Sequence, residues 1–155
     1  MMTIVIEKAI PAQAEEISKL RIDSIKKLNS NDHTKEEMIY LIGRQTPEVL
    51  KKKIESRPFF VAIENNKIIG SVDLEDNEIK GLYVLSSEIK KGLGTKLLSF
   101  MEKIGKKNGI KVMNICSTKS AIPFYEKNGY KLVEIRKEMK KGIMMTFHLM
   151  EKELA

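Results

Sequence analysis

The amino-acid sequence predicts an α/β (α+β) fold in which helices flank a mixed, mostly antiparallel sheet of about seven strands. Three strand-like runs follow one another over 59–63, 68–72 and 78–84. The turn signals Asn65-Asn66 and Asp76-Asn77 separate them, which predicts three consecutive antiparallel strands. A helical segment then precedes another apolar run, and such a crossover allows a parallel strand pair. At 155 residues, one domain over 1–155 is expected.

The first elements follow from apolar spacing. Residues 3–8 alternate between apolar and polar side chains, as in a strand. Pro11 can begin a helix that runs to about Leu28. Its apolar stripe consists of Ala14, Ile17, Ile25 and Leu28. Arg21 falls on the same stripe, where an arginine either snorkels, pairs with a carboxylate, or contacts a substrate.

Two short helices are predicted before the next strand. Thr34 and Glu37 have the spacing of a capping box for a helix through about Ile42. Thr46 and Pro47 are typical of the cap and first residue of another helix, which ends near Ser56.

The second half of the chain alternates helices and strands. The helix after Gly94 ends at Asn108-Gly109, with Leu97, Phe100 or Met101, and Ile104 toward the sheet. A fifth strand covers 110–116. A short helix over 121–127 then precedes an antiparallel pair over 131–135 and 143–150.

Composition limits the classes of function. The net charge is +7, but the lysines are spread widely and the chain has no tryptophan, so a nucleic-acid partner is not expected. Lys51-Lys52-Lys53 and Lys140-Lys141 are interpreted as solvated faces. No apolar run is long enough for a membrane span, and the N-terminus lacks a signal-peptide pattern, which predicts a cytoplasmic protein.

The cysteine and histidines suggest no metal centre. Cys116 is the only cysteine, lies in a predicted buried strand and is expected to pack in the core. His33 and His148 have no second ligand at helical spacing, so no metal is expected. The nine methionines are interpreted as core residues.

A possible anion site lies at Lys90-Lys91-Gly92-Leu93-Gly94-Thr95. Two glycines before helix-forming residues leave backbone N–H groups unpaired at a helix start, where the macrodipole and lysines attract phosphate. Glycines in this spacing also serve ordinary tight turns. By itself, the segment is therefore compatible with both interpretations.

A second segment of the sequence helps to decide between an anion site and an ordinary turn. Ala121, Phe124, Tyr125, Gly129 and Tyr130 match the pattern A-x-x-F-Y-x-x-x-G-F/Y. Together with Gly92 and Gly94 on the small positions of R/Q-x-x-G-x-G/A, they make the chain resemble the GCN5-related N-acetyltransferase (GNAT) superfamily over nearly its whole length. The resemblance implies acetyl-CoA as co-substrate and fourth and fifth strands that are parallel and splayed.

The resemblance also implies roles for particular residues. The pyrophosphate would bind at the start of the helix, and the pantetheine arm would run along the fourth strand. The implied cofactor-binding residues are Leu82, Tyr83, Val84, Lys90, Lys91, Gly92, Leu93, Gly94 and Thr95. The backbone N–H of Val84 would stabilise the oxyanion. Ile89, Met113 and Thr118 depart from the family pattern at positions that often carry Arg or Gln, Glu, and Asn, respectively.

Acetyl transfer to a primary amine requires proton donors and acceptors. Tyr125 has a phenol that can protonate the CoA thiolate. Met113 cannot act as a base. The resemblance implies Glu78 instead, since it stands at the start of the fourth strand, where some histone-type members of the superfamily carry their base; Asp73 and Glu75 on the third strand are the alternatives. Arg21 is the candidate substrate contact, and Gly81 either allows a close approach of the cofactor or marks a strand bulge.

Three functions remain in view. The first is an acetyl-CoA-dependent N-acetyltransferase (EC 2.3.1 class) that transfers the acetyl group directly to a small-molecule or peptide amine. Such an enzyme could be a homodimer, and no membrane partner is expected. The second is a catalytically silent acyl-CoA-binding or regulatory module, an alternative that the departures at Ile89 and Met113 keep open. The third is a nucleic-acid-binding domain, for which no motif is present.

Overall fold

The computed structural model of the chain describes residues 3–28, 31–89 and 91–155. Within these residues, seven strands form one sheet in the order β1-β2-β3-β4-β5-β7-β6. The strands are β1 (Val5–Lys8), β2 (Phe59–Glu64), β3 (Lys67–Glu75), β4 (Glu78–Val84), β5 (Val112–Ser117), β6 (Lys131–Lys140) and β7 (Ile143–Glu153). The α-helices are α1 (Ala14–Leu28), α2 (Lys35–Gly43), α3 (Pro47–Ser56), α4 (Leu93–Lys107) and α5 (Ile122–Lys127).

The predicted turns fix the antiparallel half of the sheet. Asn65 and Asn66 have φ of 52° and 61°, as a tight hairpin between β2 and β3 requires. Asp76 has φ of 55° between β3 and β4. The mixed sheet with three consecutive antiparallel strands is therefore confirmed.

The parallel pair β4 and β5 is short. Its register contains Glu78 opposite Asn114 and Ile79 opposite Ile115, and no later pair joins the two strands. β4 nevertheless continues to Val84 along β3. The two strands therefore separate after these two residue pairs. The rest of this edge of β4 is left open.

Two apolar clusters lie on opposite faces of the sheet. The first, between the sheet and α4 and α5, includes Leu97, Met101, Met113 and Ile115. The second, between the sheet and α1 and α3, includes Ala14, Ile17, Leu50 and Phe59. Strand alternation therefore decides which face each β4 and β5 side chain joins.

The caps are largely as predicted. Thr34 and Glu37 form the capping box of α2, and the Thr46 hydroxyl accepts a hydrogen bond from the Val49 N–H at the start of α3. A 3₁₀ turn precedes α1, and α4 begins one residue before Gly94. β6 and β7 are longer than predicted because Lys141 and Gly142, both with positive φ, connect them in a tight turn.

The lysine run in α3 is not uniformly solvated. Lys51 and Lys52 are exposed, but Lys53 is half-buried with its Nζ 3.5 Å from the carbonyl oxygen of Arg44. Burial lowers the pKa of Lys53 to about 8, and the nearby cations contribute. None of the helices in the described part of the chain is long and apolar enough to cross a membrane.

Candidate active site

The start of α4 presents free backbone donors. Gly92 is the N-cap residue with φ of 85°, a conformation that a residue with a side chain adopts at a cost. Among the described residues, no side chain caps this end of α4, and the first helical bond runs from the Lys96 N–H to the Gly92 carbonyl oxygen. The N–H groups of the first turn therefore remain available to an anion.

Position 94 is a glycine for a different reason, which is close packing against α5. A Cβ built at Gly94 would stand 3.1 Å from Cζ of Phe124. The first turn of α4 therefore packs directly on α5, and the two motifs that the sequence separates by some thirty residues meet here.

A groove of about 890 Å³ begins at this helix start. Six of the nine expected cofactor-binding residues line it, namely Leu82, Tyr83, Val84, Gly92, Gly94 and Thr95. Leu93 has its side chain in the core, where it is 2% exposed. Lys91 is largely exposed, with its Nζ 3.7 Å from Glu88, and Lys90 lies outside the described residues.

The open edge of β4 faces this groove. The Leu85 N–H donates to the Ile69 carbonyl oxygen, and hydrogen-bonded pairs alternate along an antiparallel ladder. Leu82 and Val84 therefore direct their backbone groups away from β3, toward β5. The Tyr83 backbone pairs with Ser71 of β3, so its side chain is the part that lines the groove.

Tyr125 lies in the wall of the groove and is 8% exposed. Its ring contacts Phe124 and Tyr130 edge to face. Its hydroxyl makes no hydrogen bond with any described residue. Burial raises the pKa of Tyr125, and the proximity of Tyr83 raises it further, so the phenol holds its proton at neutral pH.

The groove extends through the sheet to its α1 face. Tyr83 packs with the apolar cluster on that face, and Ser24 of α1 lines the groove there. Ser24 was not singled out in the sequence. Its signal is its position three residues after Arg21, on the inward-facing side of the same helix.

Arg21 is paired with a carboxylate, the second of the alternatives for this arginine. Its Nη2 lies 2.8 Å from Oδ1 of Asp73, and both side chains are buried. Its other nitrogens donate to Ser71 and Gln45. Because these bonds occupy the guanidinium and Arg21 is 1% exposed, it has no surface for direct contact with a substrate.

Both carboxylate oxygens of Asp73 are likewise engaged by arginines. Its second oxygen accepts from Nη1 of Arg57 at 3.2 Å. A Cβ at Gly81 would stand 2.7 Å from Asp73 Oδ1 and 2.8 Å from Arg21 Nη1, which explains this glycine better than contact with a cofactor. A shift of register between Asp73 and Leu74 also places a bulge beside it. Asp73 is therefore a poor candidate for a base.

Glu78 lies on the α1 face where β4 and β5 separate. Its carboxylate is 3.2 Å from Nζ of Lys80 and beside the thiol of Cys116. Glu75 lies farther along, bound to Arg57 at 2.8 Å. Of the three carboxylates considered, Glu78 is the one beside the Cys116 thiol, which lines the groove.

The expectation that Cys116 packs in the core is wrong. Met113 and Ile115 face the core, so alternation turns Cys116 to the other face, where it is exposed and lines the groove. Burial of the sulfur and the neighbouring Glu78 carboxylate raise the pKa of the thiol to about 12. It is therefore a neutral thiol at physiological pH.

The three departures from the family pattern have different surroundings. Ile89 and Thr118 line the groove, whereas Met113 is fully buried beneath α4. Among the residues described, no group of three or more His, Cys, Asp or Glu side chains is arranged to hold a metal ion.

Known proteins share this architecture. The model of the acetyltransferase (GNAT) domain family matches residues 29–154. The GCN5-related N-acetyltransferase from Rhodopseudomonas palustris superposes with a TM-score of 0.91 at 19% identity, covering 98% of this chain and 96% of that one.

Two structures with a bound ligand are also similar. PaiA N-acetyltransferase from Thermoplasma acidophilum, in complex with coenzyme A, has a TM-score of 0.81 at 23% identity and 97% and 99% coverage. YncA, a putative acetyltransferase from Salmonella typhimurium with acetyl-CoA, has a TM-score of 0.67 at 19% identity and 99% and 95% coverage. These likenesses show the fold, and the family model adds the family: the chain belongs to the GNAT acetyltransferases.

Proposed function

We propose that the protein is an acetyl-CoA-dependent N-acetyltransferase that transfers the acetyl group to a primary amine by direct attack. One observation carries this proposal: a single groove joins the free N–H groups at the start of α4, the open edge of β4 and the phenol of Tyr125. The binding of coenzyme A and acetyl-CoA by two structural relatives supports it.

The residues of the groove suit this co-substrate, which supplies the acetyl group as a thioester. The N–H groups from Gly92 to Thr95 and the positive end of the α4 dipole suit a pyrophosphate, with Lys91 and Lys90 as additional charges. Leu82 and Val84 offer backbone donors and acceptors to an extended arm, as in strand addition.

The chemistry assigns one task to each group. The amine nitrogen forms a bond to the acetyl carbon, and the carbon–sulfur bond breaks. The Val84 N–H stabilises the oxyanion, Glu78 takes the proton that the nitrogen loses, and Tyr125 gives a proton to the departing thiolate. The raised pKa of Tyr125 keeps that proton in place until the thiolate forms.

Thermal unfolding with and without acetyl-CoA tests the binding step. At about 100 times Kd, a ligand stabilises the native state by roughly 2.7 kcal/mol, a readily measured rise in Tm. We expect that rise in the wild type and its loss in Gly92→Glu and Gly94→Glu. Equal Tm values for the wild type with and without acetyl-CoA would overturn the proposal.

Release of free thiol separates the enzyme from a silent acyl-CoA-binding module. The silent alternative draws support from Met113, which is fully buried where some relatives carry a base. Both readings predict stabilisation by acetyl-CoA, but only the enzyme releases CoA thiol in the presence of an amine. The nucleic-acid alternative instead predicts salt-dependent binding to DNA.

A homodimer is proposed on the β6–β7 hairpin. β6 is an edge strand of the sheet, and Ile135, Met139 and Met144 on this hairpin are each more than half exposed. Light scattering of the protein and of Ile135→Lys would report the mass of the particle. The cytoplasmic location and the single domain over 1–155 stay predictions, to be tested by cell fractionation and limited proteolysis.

A further inference from the structure

The outer edge of β6 is open. β6 is the last strand of the sheet, and no strand among the described residues pairs with its outer side. A two-residue turn joins β6 to β7, which makes Lys140 and Ile143 a hydrogen-bonded pair. Because such pairs alternate along an antiparallel ladder, backbone N–H and C=O groups point away from β7 at Ile135, Lys137 and Met139. β6 therefore offers a row of free donors and acceptors to another strand.

One face of β6 carries charges of alternating sign. Its members stand two residues apart, namely Glu134, Arg136, Glu138 and Lys140. Nε of Arg136 lies 2.7 Å from Oε2 of Glu134, and Nη1 lies 3.4 Å from Oε1 of Glu138. Nζ of Lys140 lies 3.1 Å from Oε2 of Glu138. The side chains are between 35% and 48% exposed, so this charged row remains accessible to a partner.

The opposite face of β6 exposes apolar side chains. Ile135 and Met139 are each 58% exposed, and Lys137 lies between them. Large apolar side chains beside an open strand edge are typical of a protein–protein interface. The partner of this edge must therefore supply a strand with apolar residues on one face and alternating charges on the other.

A second copy of β6 meets these requirements in one register. An antiparallel pair with its two-fold axis at Lys137 places Glu134 opposite Lys140 of the second copy. The same axis places Arg136 opposite Glu138, and symmetry forms each pair twice. On the other face, apolar residues oppose each other, namely Ile135 and Met139. Moving the axis by one residue sets like charges opposite each other, and moving it by two keeps only half of the opposite-charge pairs.

The alternation of sign separates this edge from one that is protected against pairing. Charged side chains, lysine above all, often block an edge strand because like charges would meet across it. On β6 the charged face is self-complementary, and the like-charge contact in this register is the meeting of the two Lys137 side chains at the axis. Strand pairing is therefore favoured at four charged positions and opposed at one.

We propose that β6 pairs with β6 of a second copy, antiparallel about a two-fold axis at Lys137, so that one sheet runs through both copies. This inference rests on the homodimer proposed above and specifies its contact and register. It does not depend on acetyl transfer. The charged pairs set the register, and the apolar residues add burial.

Charge reversal tests the register by sedimentation velocity, over protein concentrations from about 1 μM to about 1 mM. Arg136→Glu and Glu138→Arg each place like charges opposite one another, which should weaken the homodimer about tenfold or more. An equimolar mixture of the two variants restores both opposite-charge pairs, so a mixed dimer should form at the wild-type affinity. Native mass spectrometry distinguishes the mixed dimer from the two homodimers.

Lys137→Thr should have the opposite effect. It removes the like-charge contact at the axis, so the dimer should tighten about threefold. Lys131→Thr is the matched control, because it removes the same charge from the same strand outside the paired segment 134–140, and it should leave the affinity unchanged. All of the substituted side chains are at least partly exposed, and circular dichroism checks that each variant is folded.

Three results would overturn the inference. A wild type that stays monomeric throughout this concentration range would refute the strand pairing and the homodimer together. A dimer that neither charge reversal weakens would show that the copies meet at another surface. Failure of the two variants to form a mixed dimer, or a weaker dimer in Lys137→Thr, would refute the register. The rise in Tm with acetyl-CoA is measured separately, so loss of the proposed enzyme function is a distinct outcome.

Discussion

Gly94 of α4 and Phe124 of α5 pack closely: a Cβ at Gly94 would stand 3.1 Å from the Phe124 ring, tighter than an ordinary contact, so the ring would have to move. The ring also lines the groove. Contact at this point therefore sets both the packing of the two helices and the width of the groove.

Gly94→Ala is expected to displace the Phe124 ring into the groove and weaken acetyl-CoA binding about tenfold, because overpacking of this kind costs about 1 to 3 kcal/mol. Isothermal titration calorimetry measures the affinity. Gly43→Ala is the control, since a Cβ there meets nothing within 4 Å. Equal affinities of Gly94→Ala and the wild type would show that the ring does not limit the site.

Asp73→Asn is expected to destabilise the fold by about 3 to 5 kcal/mol, since it leaves the buried Arg21 without its counter-charge. Urea unfolding of the variant measures the loss. Glu75→Gln is the control, because this carboxylate is 46% exposed and its loss should cost no more than about 1 kcal/mol. Similar losses for the two variants would contradict a buried ion pair.

Cys116 should react slowly with iodoacetamide at pH 7.5, because its thiol pKa is raised to about 12. The rate should rise about tenfold for each pH unit from 7.5 to 9.5, as the thiolate fraction does. Glu78→Gln removes the adjacent negative charge and should accelerate alkylation, whereas Glu55→Gln on α3 should not. A rate independent of pH in this range would refute the raised pKa.

Lys53 should make the free energy of unfolding depend on pH. Its pKa in the native protein is about 8, below the ordinary 10.5, so the unfolded chain binds more protons between these values. The contribution of Lys53 to the free energy of unfolding therefore rises as pH increases from 8 toward 10.5. It is lost again as pH falls back through 8. Urea unfolding should show the wild type gaining on the order of 1 kcal/mol relative to Lys53→Gln between pH 7 and pH 10. No pH dependence of that difference would contradict the prediction.

The order of strands and helices could be predicted from sequence because each signal was local. Asn65-Asn66, the Thr34 capping box and the glycine at 109 each specify a turn or a helix end without reference to distant residues. The motifs around Gly92 and Tyr125 carried the family resemblance, and in the structure Gly94 and Phe124 bring these two segments together at the groove.

Positions decided by packing between distant elements could not be predicted. The apolar character of its strand predicts a buried Cys116, but the face on which a strand residue lies depends on which helices cover the sheet. Asn114, two residues earlier on the same face, was the available signal. Lys53 and Ser24 depend on how α1 and α3 meet the sheet, which no local pattern describes.

The two-residue pairing of β4 with β5 has a mechanical consequence. Beyond Ile79 and Ile115, no strand hydrogen bonds join the half of the sheet that ends at β4 to the half that begins at β5. The backbone groups of Leu82 and Val84 point into the gap between these halves. A molecule bound along that edge would act as a short additional strand between the halves. Binding would then make the whole sheet more rigid. The amides of β4 would exchange with solvent more slowly as the occupied fraction of the site rises.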